Sequence, residues 1–399
     1  MNFTQPIPLS LYVHYPWCVQ KCPYCDFNSH TLKAGTAAVD ESAYINALIK
    51  QLEQTLPLIW GRPIHSIFFG GGTPSLLSED GLNRFMSHAR ALLGFGPDIE
   101  ITLEANPGTV DFAKFAGFYQ AGINRLSMGV QSFDDQKLQA LGRIHSANEA
   151  HRAIESAKAA GFTNFNLDLM FALPGQTLEQ AVADVQQAIQ YAPPHLSHYQ
   201  LTLEPNTPFY KNPPILPEDD LAWDMQLAAQ AVLAESGYEH YEVSGYAKPH
   251  SSCRHNLNYW QFGDYVGLGA GAHGKITDAP SGQIWRTQMP ASPGGYVAMM
   301  QDAKAGLSWA HAIGRVHQVD EMDAVFEFML NALRLQNGFD LALFTQRTGL
   351  PIERIASQLA QLQTNGWGEV SAGLTGQSTL QLSTLGQTFL NDVVGLFLE

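Results

Sequence analysis

The chain has 399 residues, of which 45% are hydrophobic and 15% are charged, and its formal net charge is −15 at pH 7. This composition excludes a generally disordered chain and suits one large domain or two smaller ones. The negative charge argues against a nucleic-acid backbone as a partner. The sequence shows neither a signal-peptide pattern nor an apolar run of the roughly 18 residues needed to cross a bilayer, so we expect a cytoplasmic protein.

Three of the four cysteines lie in one Pro-containing segment behind a predicted strand at residues 9–15; they are Cys18, Cys22 and Cys25. Thiolates at this spacing can converge on one soft-metal centre and leave one ligand position open to a substrate. A structural zinc site commonly takes four protein ligands, and the remaining cysteine, Cys253, lies far along the chain. A disulfide is a weaker alternative, because clustered cysteines in a cytosolic chain indicate metal binding or catalysis. The pattern therefore favours an iron–sulphur site.

Between residues 9 and 242, short apolar or β-branched runs alternate with longer helical patterns. This alternation is typical of an α/β fold in which βα units build a parallel sheet. The predicted strands lie at residues 9–15, 64–69, 99–104, 125–130, 165–171 and 198–203. The predicted helices lie near residues 41–56, 78–93, 110–121, 146–160, 177–191 and 217–236. Six units are too few for a closed eight-stranded barrel, so we predict a partial (β/α)6 barrel with functional residues at the carboxyl ends of its strands.

Polar or glycine residues recur at the ends of these predicted strands. The sequence GGGTP at 70–74 follows the second strand, where consecutive glycines would let backbone amides approach a ligand. The third strand ends at Glu104, Gln131 follows the fourth, and the fifth carries Asp168. Any one of them alone is more often a turn, cap or ion-pair residue. Their recurrence predicts a polar cofactor across the barrel mouth.

The Cys-x3-Cys-x2-Cys spacing resembles that of the radical S-adenosylmethionine superfamily. The resemblance implies that Cys18, Cys22 and Cys25 hold a 4Fe-4S cluster, whose fourth iron binds the amino and carboxylate groups of S-adenosylmethionine. From residue 11 nearly to the C-terminus, the chain is also similar to the oxygen-independent coproporphyrinogen III oxidase branch, and more closely to its heme chaperone relatives. The family pattern implies S-adenosylmethionine contacts from Tyr12, Tyr24, Gly71, Gly72, Thr73, Glu104, Gln131, Arg143 and Asp168.

The same resemblance implies a role for several of these side chains. Glu104 would take the amino group of S-adenosylmethionine and Arg143 its carboxylate. Gln131 and Asp168 would contact the ribose, and Tyr24 would lie beside the adenine. A planar guanidinium is well shaped to bind a carboxylate, although an arginine in such a setting is otherwise a surface ion pair of small energetic value.

Two departures from the oxidases favour the heme chaperones. Cys25 is followed by Asp26 and Phe27, whereas the oxidases carry a further cysteine one residue after the third ligand. The first strand also begins near the N-terminus of this sequence, where the oxidases have a long extension. Ala172 stands where the family usually has glycine, which is a conservative change. We therefore favour a heme-binding protein over an enzyme that decarboxylates coproporphyrinogen III.

A second motif lies at residues 253–260, CRHNLNYW, ahead of a glycine-rich stretch at 267–274. It resembles the His-Asn-x-x-Tyr-Trp motif of the heme chaperones, which the oxidases lack, and so implies heme as a further cofactor. Its residues here are His255, Asn256, Tyr259 and Trp260. His255 is a candidate axial ligand of heme iron, with a structural hydrogen-bonding histidine as the alternative. Cys253 is a weaker candidate whose alternative is a buried free thiol, and Tyr265 and His273 could line the same face.

The C-terminal part of the sequence predicts a separate small module. A stretch rich in Pro and Gly at 279–307 is typical of a connector. Beyond it we predict helices at 320–334, 340–348 and 352–364, a hairpin formed by 366–369 and 380–382, and a last helix at 385–398, an order that resembles a winged helix. DNA binding is then an alternative function, but residues from 320 onward include nine Asp or Glu against three Arg and no Lys. A DNA reader carries a basic face, so a lid or a protein-docking role is favoured.

These observations divide the chain into three parts. Residues 1–245 form the barrel together with the loop that carries Cys18, Cys22 and Cys25, which we call the cysteine loop. Residues 246–310 carry the second motif and the connector, and residues 311–399 form a small α+β winged-helix-like domain. The favoured function is a heme chaperone that holds the cluster and S-adenosylmethionine and passes heme to acceptor proteins of the respiratory chain, with a peripheral contact to the membrane.

Two other functions stay open at this stage. One is the radical oxidative decarboxylation of coproporphyrinogen III, and the other is a non-catalytic interaction protein that acts through the C-terminal module. We expect the protein to be a monomer or a homodimer.

Overall fold

The computed structural model describes residues 1–32, 40–59, 61–302, 314–372 and 377–398. Its main feature is a 12-stranded sheet with six neighbouring parallel strands at its centre. These strands are β1 (Leu9–Tyr15), β2 (Ile64–Gly71), β3 (Phe95–Ala105), β4 (Arg125–Gln131), β5 (Phe165–Phe171) and β6 (His195–Gln200). They pair in chain order, which confirms the predicted partial barrel. The sixth strand begins at His195, three residues before the predicted start.

Helices connect the parallel strands and cover the outer face of the barrel. They are α1 (Glu41–Ile59), α2 (Glu79–Leu92), α3 (Phe112–Ala121), α4 (Asp135–Ala140), α5 (Ala147–Ala159), α6 (Leu178–Gln190), α7 (Pro208–Lys211) and α8 (Asp219–Glu235). The six longer helices match the prediction, whereas the short α4 and α7 were not predicted. Capping boxes at Ser146 and Thr177 explain why α5 and α6 begin where they do, because each cap satisfies free amides of the first turn.

Side-chain alternation along each parallel strand separates the core from the site. In β4, Leu126, Met128 and Val130 are fully buried in the core, while alternate residues of the same strand line a cavity inside the barrel. β5 repeats this arrangement with Leu167 and Leu169 in the core. Successive side chains of a strand point to opposite faces. The apolar face of each strand is therefore covered by the helices, and the polar face lines the cavity inside the barrel.

The sheet continues beyond the barrel at both edges. β7 (Glu239–Glu242) and β8 (Gly245–Ala247) follow β6 at one edge. At the other edge β9 (Asp264–Leu268) runs parallel to β1, and β10 (His273–Asp278), β11 (Gln283–Gln288) and β12 (Arg315–Val319) continue antiparallel. Two further helices, α9 (Arg254–Trp260) and α10 (Pro293–Asp302), belong to this region.

The stretch predicted as a connector at 279–307 contains regular elements among the residues that the structure describes, and its role as a connector stays a prediction. Strand β11 and helix α10 both lie within that stretch, and 303–307 fall outside the described residues. Pro290 follows the strand and Pro293 is the first residue of the helix, a position where proline is favoured because its missing amide would be unpaired anyway. The prolines therefore delimit regular elements here instead of preventing them. The proposed domain boundaries at 245 and 310 stay predictions.

The C-terminal part has its own apolar core, centred on Phe328 and Phe344. Its elements are α11 (Glu321–Ala332), β13 (Phe339–Asp340), α12 (Leu341–Thr348), α13 (Ala356–Thr364), β14 (Gly368–Ala372), β15 (Ser378–Leu382), α14 (Thr384–Thr388) and α15 (Leu390–Gly395). Their order and the three-stranded sheet confirm a winged-helix-like module. The single last helix predicted at 385–398 was wrong, because the chain leaves helical geometry at Phe389, with φ −103° and ψ 37°.

Across the described residues, we find no helix whose length and hydropathy would let it cross a membrane.

A buried charge network attaches the edge strands β9 and β10 to the barrel. Asp264 is completely buried and accepts hydrogen bonds of 2.8 Å from Arg62 and from Lys275. Its carboxylate also accepts the backbone amide and the hydroxyl of Thr277, both at 2.8 Å. These partners hold the pKa of Asp264 below its ordinary value against the effect of burial. The network stabilises the edge strands only while each charge has its partner.

We expect the Asp264→Asn substitution to lower the free energy of unfolding by about 3–5 kcal/mol, because Lys275 would stay buried without its counter-ion. Denaturant unfolding followed by circular dichroism would measure this change. Asp278→Asn, at the exposed end of the neighbouring strand β10, is the matched control and should change stability by less than about 0.5 kcal/mol. Equal effects of the two substitutions would contradict a stabilising role of the network.

Candidate functional site

A cavity of about 390 Å³ lies at the carboxyl ends of the parallel strands, within the usual size of small-molecule sites, roughly 300–1,000 Å³. We call it the barrel cavity. It brings together most of the side chains singled out in the sequence: Cys18, Cys22, Tyr24, Cys25, Gly71, Gly72, Thr73, Glu104, Gln131, Arg143, Asp168 and Asn256. The structure places the other predicted residues elsewhere; they are Tyr12, Cys253, His255, Tyr259 and Trp260.

The cysteine loop closes one side of the barrel cavity. Cys18 is buried and Cys22 and Cys25 are half-buried, and all three thiols are free. The loop is tied back on itself, since the amide of Cys25 donates to the carbonyl of Cys22 at 3.2 Å and Lys21 donates to the carbonyl of Phe27 at 2.8 Å. Burial raises the pKa of the Cys18 and Cys25 thiols, so a metal would have to displace protons on binding.

The three cysteines of the site share one wall of the barrel cavity. Within the described residues, no group of three His, Cys, Asp or Glu side chains that could hold a single metal ion is found. Three cysteine thiols on one cavity wall are the expected donors for an iron–sulphur cluster.

The glycine segment after β2 packs directly against the cysteine loop. Gly71 has φ 117°, and a Cβ there would lie 2.5 Å from the ring of His14, so only glycine fits without strain. The amide of Gly72 donates to the carbonyl of Tyr15 at 2.7 Å, and that of Thr73 to the carbonyl of Trp17 at 2.8 Å. The expectation that these amides are available to a ligand was therefore wrong for Gly72 and Thr73, because both are used to hold the loop.

Two carboxyl groups face each other across the cavity. Burial, followed by the nearby charge of Asp168, raises the pKa of Glu104 to about 8. Burial also raises the pKa of Asp168, although hydrogen bonds from Asn166 at 2.7 Å and Ser127 at 3.2 Å oppose the shift. One Glu104 oxygen accepts the amide of Gly71 at 3.2 Å. A cationic group bound between the carboxyls would relieve their repulsion.

Arg143 supplies the opposite charge at the cysteine side of the cavity. Its Nη2 donates to the carbonyl of Gly129 at 2.8 Å, and its Nη1 lies 3.6 Å from the Cys22 sulphur. Its buried Nε has no partner among the described residues, so the guanidinium retains capacity for an anionic ligand. Gln131 adopts φ 68°, which non-glycine residues seldom do, and its Oε1 accepts the hydroxyl of Tyr199 at 2.9 Å.

The floor of the barrel cavity carries polar side chains that the sequence analysis missed. They are Arg125, Ser127, Asn166, His195, Ser197 and Tyr199. A signal for them was present, because polar residues alternate with apolar ones along β4, β5 and β6, as in Arg125-Leu126-Ser127-Met128. Such alternation in a strand of a parallel barrel marks an inward polar face.

The second motif does not form one site. His255 is 1% exposed, and its ring nitrogens contact the hydroxyls of Ser66 at 2.9 Å and Tyr259 at 3.0 Å. Burial lowers the pKa of His255 to about 3, so its imidazole is neutral and fully partnered. Cys253 is equally buried and its sulphur lies 3.5 Å from Glu100. The geometry therefore argues against either residue as a heme ligand in this conformation, and their ligand roles stay predictions.

The other side chains of the second motif lie in three different environments. Asn256 lines the barrel cavity, and Trp260 packs under Arg334, whose guanidinium lies 4.3 Å from the centre of the indole ring. Tyr259 lines a second cavity of about 560 Å³, which also contains Tyr12. We call this the side cavity, and it shares the wall formed by Phe27, Gly71 and Glu104 with the barrel cavity.

Comparisons with known proteins agree with this geometry. The sequence-family model of the radical SAM superfamily matches residues 12–188. The sequence-family model of the HemN C-terminal domain matches residues 319–375. A radical SAM domain implies a 4Fe-4S cluster and S-adenosylmethionine. Among solved structures, the coproporphyrinogen III oxidase HemN of Escherichia coli superposes with a TM-score of 0.79 over 98% of this chain and 90% of that chain. At 24% sequence identity, this likeness shows a common fold.

Two curated relatives match the chain over nearly its whole length. The heme chaperone HemW of Escherichia coli (strain K12) is 45% identical over 391 residues, which is 98% of each chain. The heme chaperone HemW of Haemophilus influenzae is 45% identical over 396 residues, again 98% of each chain. On the strength of this full-length identity, the chain belongs to the HemW heme chaperone family of the radical SAM superfamily.

Proposed function

We propose that this protein is a heme chaperone, which holds a 4Fe-4S cluster and S-adenosylmethionine in the barrel cavity and delivers heme to acceptor proteins of the respiratory chain. The observation that carries the proposal is the convergence of three free thiols, two carboxyls and one arginine on a single cavity in a chain of this family. The cluster and S-adenosylmethionine would support conformation or transfer, without the turnover of a substrate.

Different residues of the barrel cavity would bind the cluster and S-adenosylmethionine. Cys18, Cys22 and Cys25 would bind the cluster as thiolates. Glu104 would accept the amino group of S-adenosylmethionine, and Arg143 would bind its carboxylate through the free side of its guanidinium. Cysteine thiolates are the usual cluster ligands, and guanidinium matches carboxylate geometry.

We propose that the remaining contacts of S-adenosylmethionine come from the cavity walls. Gln131 and Asp168 would contact the ribose, Tyr24 would lie beside the adenine, and Gly71, Gly72 and Thr73 would shape the wall between them. Tyr12 is the weakest member of this set, because it lines the side cavity and its hydroxyl is bonded to His14 at 3.0 Å.

The wider setting follows the same proposal. We infer a cytoplasmic protein, monomeric or homodimeric, that reaches respiratory acceptors through a peripheral contact with the membrane. The C-terminal module would dock a protein, because residues from 320 onward carry nine acidic and only three basic side chains, which does not suit nucleic acid.

Protein prepared without air and with its cluster reconstituted should bind heme stoichiometrically and develop a Soret band. On mixing with an apo-acceptor protein, heme should move to the acceptor. Absence of stoichiometric heme binding would refute the proposal. Formation of protoporphyrinogen together with methionine and 5′-deoxyadenosine from coproporphyrinogen III would favour the oxidase instead.

Each substitution Cys18→Ser, Cys22→Ser and Cys25→Ser should abolish the four-iron cluster, because a hydroxyl is a poor ligand for a site built from thiolates. Iron and sulphide analysis, with the visible absorption of the cluster, would measure the loss. Cys253→Ser provides the control, since this buried thiol lies far from the cysteine loop in the chain and outside the cavity wall, and it should keep a full cluster.

Glu104→Gln should stabilise the ligand-free protein and weaken S-adenosylmethionine binding. Because the pKa of Glu104 in the fold is about 8, above its ordinary value of 4.5, ionisation of this group costs stability as the pH rises from 4.5 to 8. At pH 8 the variant should therefore be more stable by about 1–3 kcal/mol, and near pH 4.5 the difference should vanish. Thermal unfolding across this pH range and calorimetric titration with S-adenosylmethionine would test both effects.

The control for this prediction is Glu369→Gln, which changes an exposed carboxyl of β14 and should alter neither quantity. If Glu104→Gln bound S-adenosylmethionine as tightly as the parent protein, Glu104 would not be the acceptor of the amino group.

A further inference from the structure

The side cavity is a candidate for a second ligand. Its volume of about 560 Å³ is that of a small-molecule site, and aromatic side chains make up much of its wall. These are Tyr12, Phe27, Tyr259 and Tyr265. Phe27 is 61% exposed, and the rings of Tyr259 and Tyr265 meet edge to face with centroids 4.5 Å apart. A wall of this kind suits a large, flat, apolar molecule.

Most polar groups of the side cavity already have partners within the protein. His14 bonds through one ring nitrogen to Tyr12 at 3.0 Å and through the other to the carbonyl of Asn28 at 2.8 Å. The hydroxyl of Tyr259 contacts His255 at 3.0 Å, and that of Tyr265 accepts a hydrogen bond from Arg286 at 2.9 Å. These groups hold one another in place and are not free to bind a metal.

His273 is different from the other histidine and the tyrosines of the side cavity. Its side chain is exposed to the cavity, and neither ring nitrogen has a hydrogen-bond partner among the residues that the structure describes. Partial burial and the charge of Arg286 lower its pKa, which keeps the imidazole neutral at neutral pH. Neutral imidazole is the form that binds iron.

The backbone of His273 is firmly positioned. It is the first residue of β10 and pairs with Gln288 of β11. A Cβ at Gly267 would lie 1.9 Å from the carbonyl oxygen of His273, so no side chain fits between the two strands at this point. Two residues further along β10, Lys275 enters the buried network of Asp264. A ligand residue on such a strand keeps its orientation without help from a flexible loop.

We propose that heme binds in the side cavity with the imidazole of His273 as an axial ligand of its iron. This inference rests on the proposed function and deepens it, because it moves the ligand from the motif residue His255 to a histidine outside the motif. Phe27 and Tyr265 would lie against the macrocycle. The shared wall of Phe27, Gly71 and Glu104 would place heme next to the barrel cavity.

Heme titration of the full chain, followed by absorption and electron paramagnetic resonance spectroscopy, tests the inference. The parent protein should show histidine-ligated heme. His273→Ala should bind heme at least tenfold more weakly and lose the histidine signature, and His273→Tyr should bind with a phenolate signature instead, because the ligand follows the substituted side chain. His317→Ala, an exposed histidine on β12 of the same sheet edge, should behave like the parent.

His255→Ala separates the two candidate ligands. Under the inference, heme bound to this variant keeps the histidine signature, even if the loss of two buried hydrogen bonds lowers its thermal midpoint. Unchanged spectrum and affinity in both His273 variants would overturn the inference while leaving the heme chaperone function intact. A parent protein that binds no heme at all would overturn both.

Discussion

The backbone contact between the end of β1 and the glycine segment at the end of β2 is the contact on which the site depends. Tyr15 lies opposite Gly71 in the register of the two strands, and the amides of Gly72 and Thr73 donate to carbonyls at the start of the cysteine loop. Because Gly71 and Gly72 have no side chain, the loop can lie directly on them. This contact carries Cys18 to the edge of the cavity where the carboxyl ends of the other strands bring Glu104, Gln131 and Asp168.

The barrel cavity at this edge contains several buried ionisable side chains. Glu104 and Asp168 repel each other, and burial raises the pKa of both. Arg143 lies on the other side with part of its guanidinium unpaired. Such an arrangement costs stability in the empty protein and is typical of functional sites. A ligand that carries both an amino group and a carboxylate would satisfy the two sides at once, which is the chemical reason to assign a zwitterion to this cavity.

The sequence predicted the barrel well and its edges poorly, for physical reasons. Long βα units combine two strong periodic signals, and the predicted bounds of β1 and β5 agree with the structure. The strand Gln283–Gln288 lies between prolines and is only six residues long, so local composition concealed it. The cysteines and the strand-end polar residues could be chosen from their order in the chain, since a parallel barrel gathers strand ends at one edge. The directions of His255, Tyr259 and Trp260 could not, because the packing of a seven-residue helix between sheet and C-terminal module decides them.

The edge of the sheet formed by β9, β10 and β11, which the sequence did not predict, matters for the proposed function. Tyr12 and His14 of β1 line the side cavity. Strand β9 pairs with β1, and the turn from β9 to β10 and the first residue of β10 line the same cavity through Gly271, Ala272 and His273. The same edge contacts the C-terminal module, because Arg286 of β11 binds Tyr265 and also Glu327 of α11 at 2.7 Å. Strands β9 and β10 therefore contribute to a second cavity, and Arg286 of β11, within the stretch predicted as a connector, joins it to the domain proposed to dock a partner. A ligand held there would contact the wall shared with the barrel cavity, and Tyr265 of the same cavity is joined through Arg286 to Glu327 of the C-terminal module.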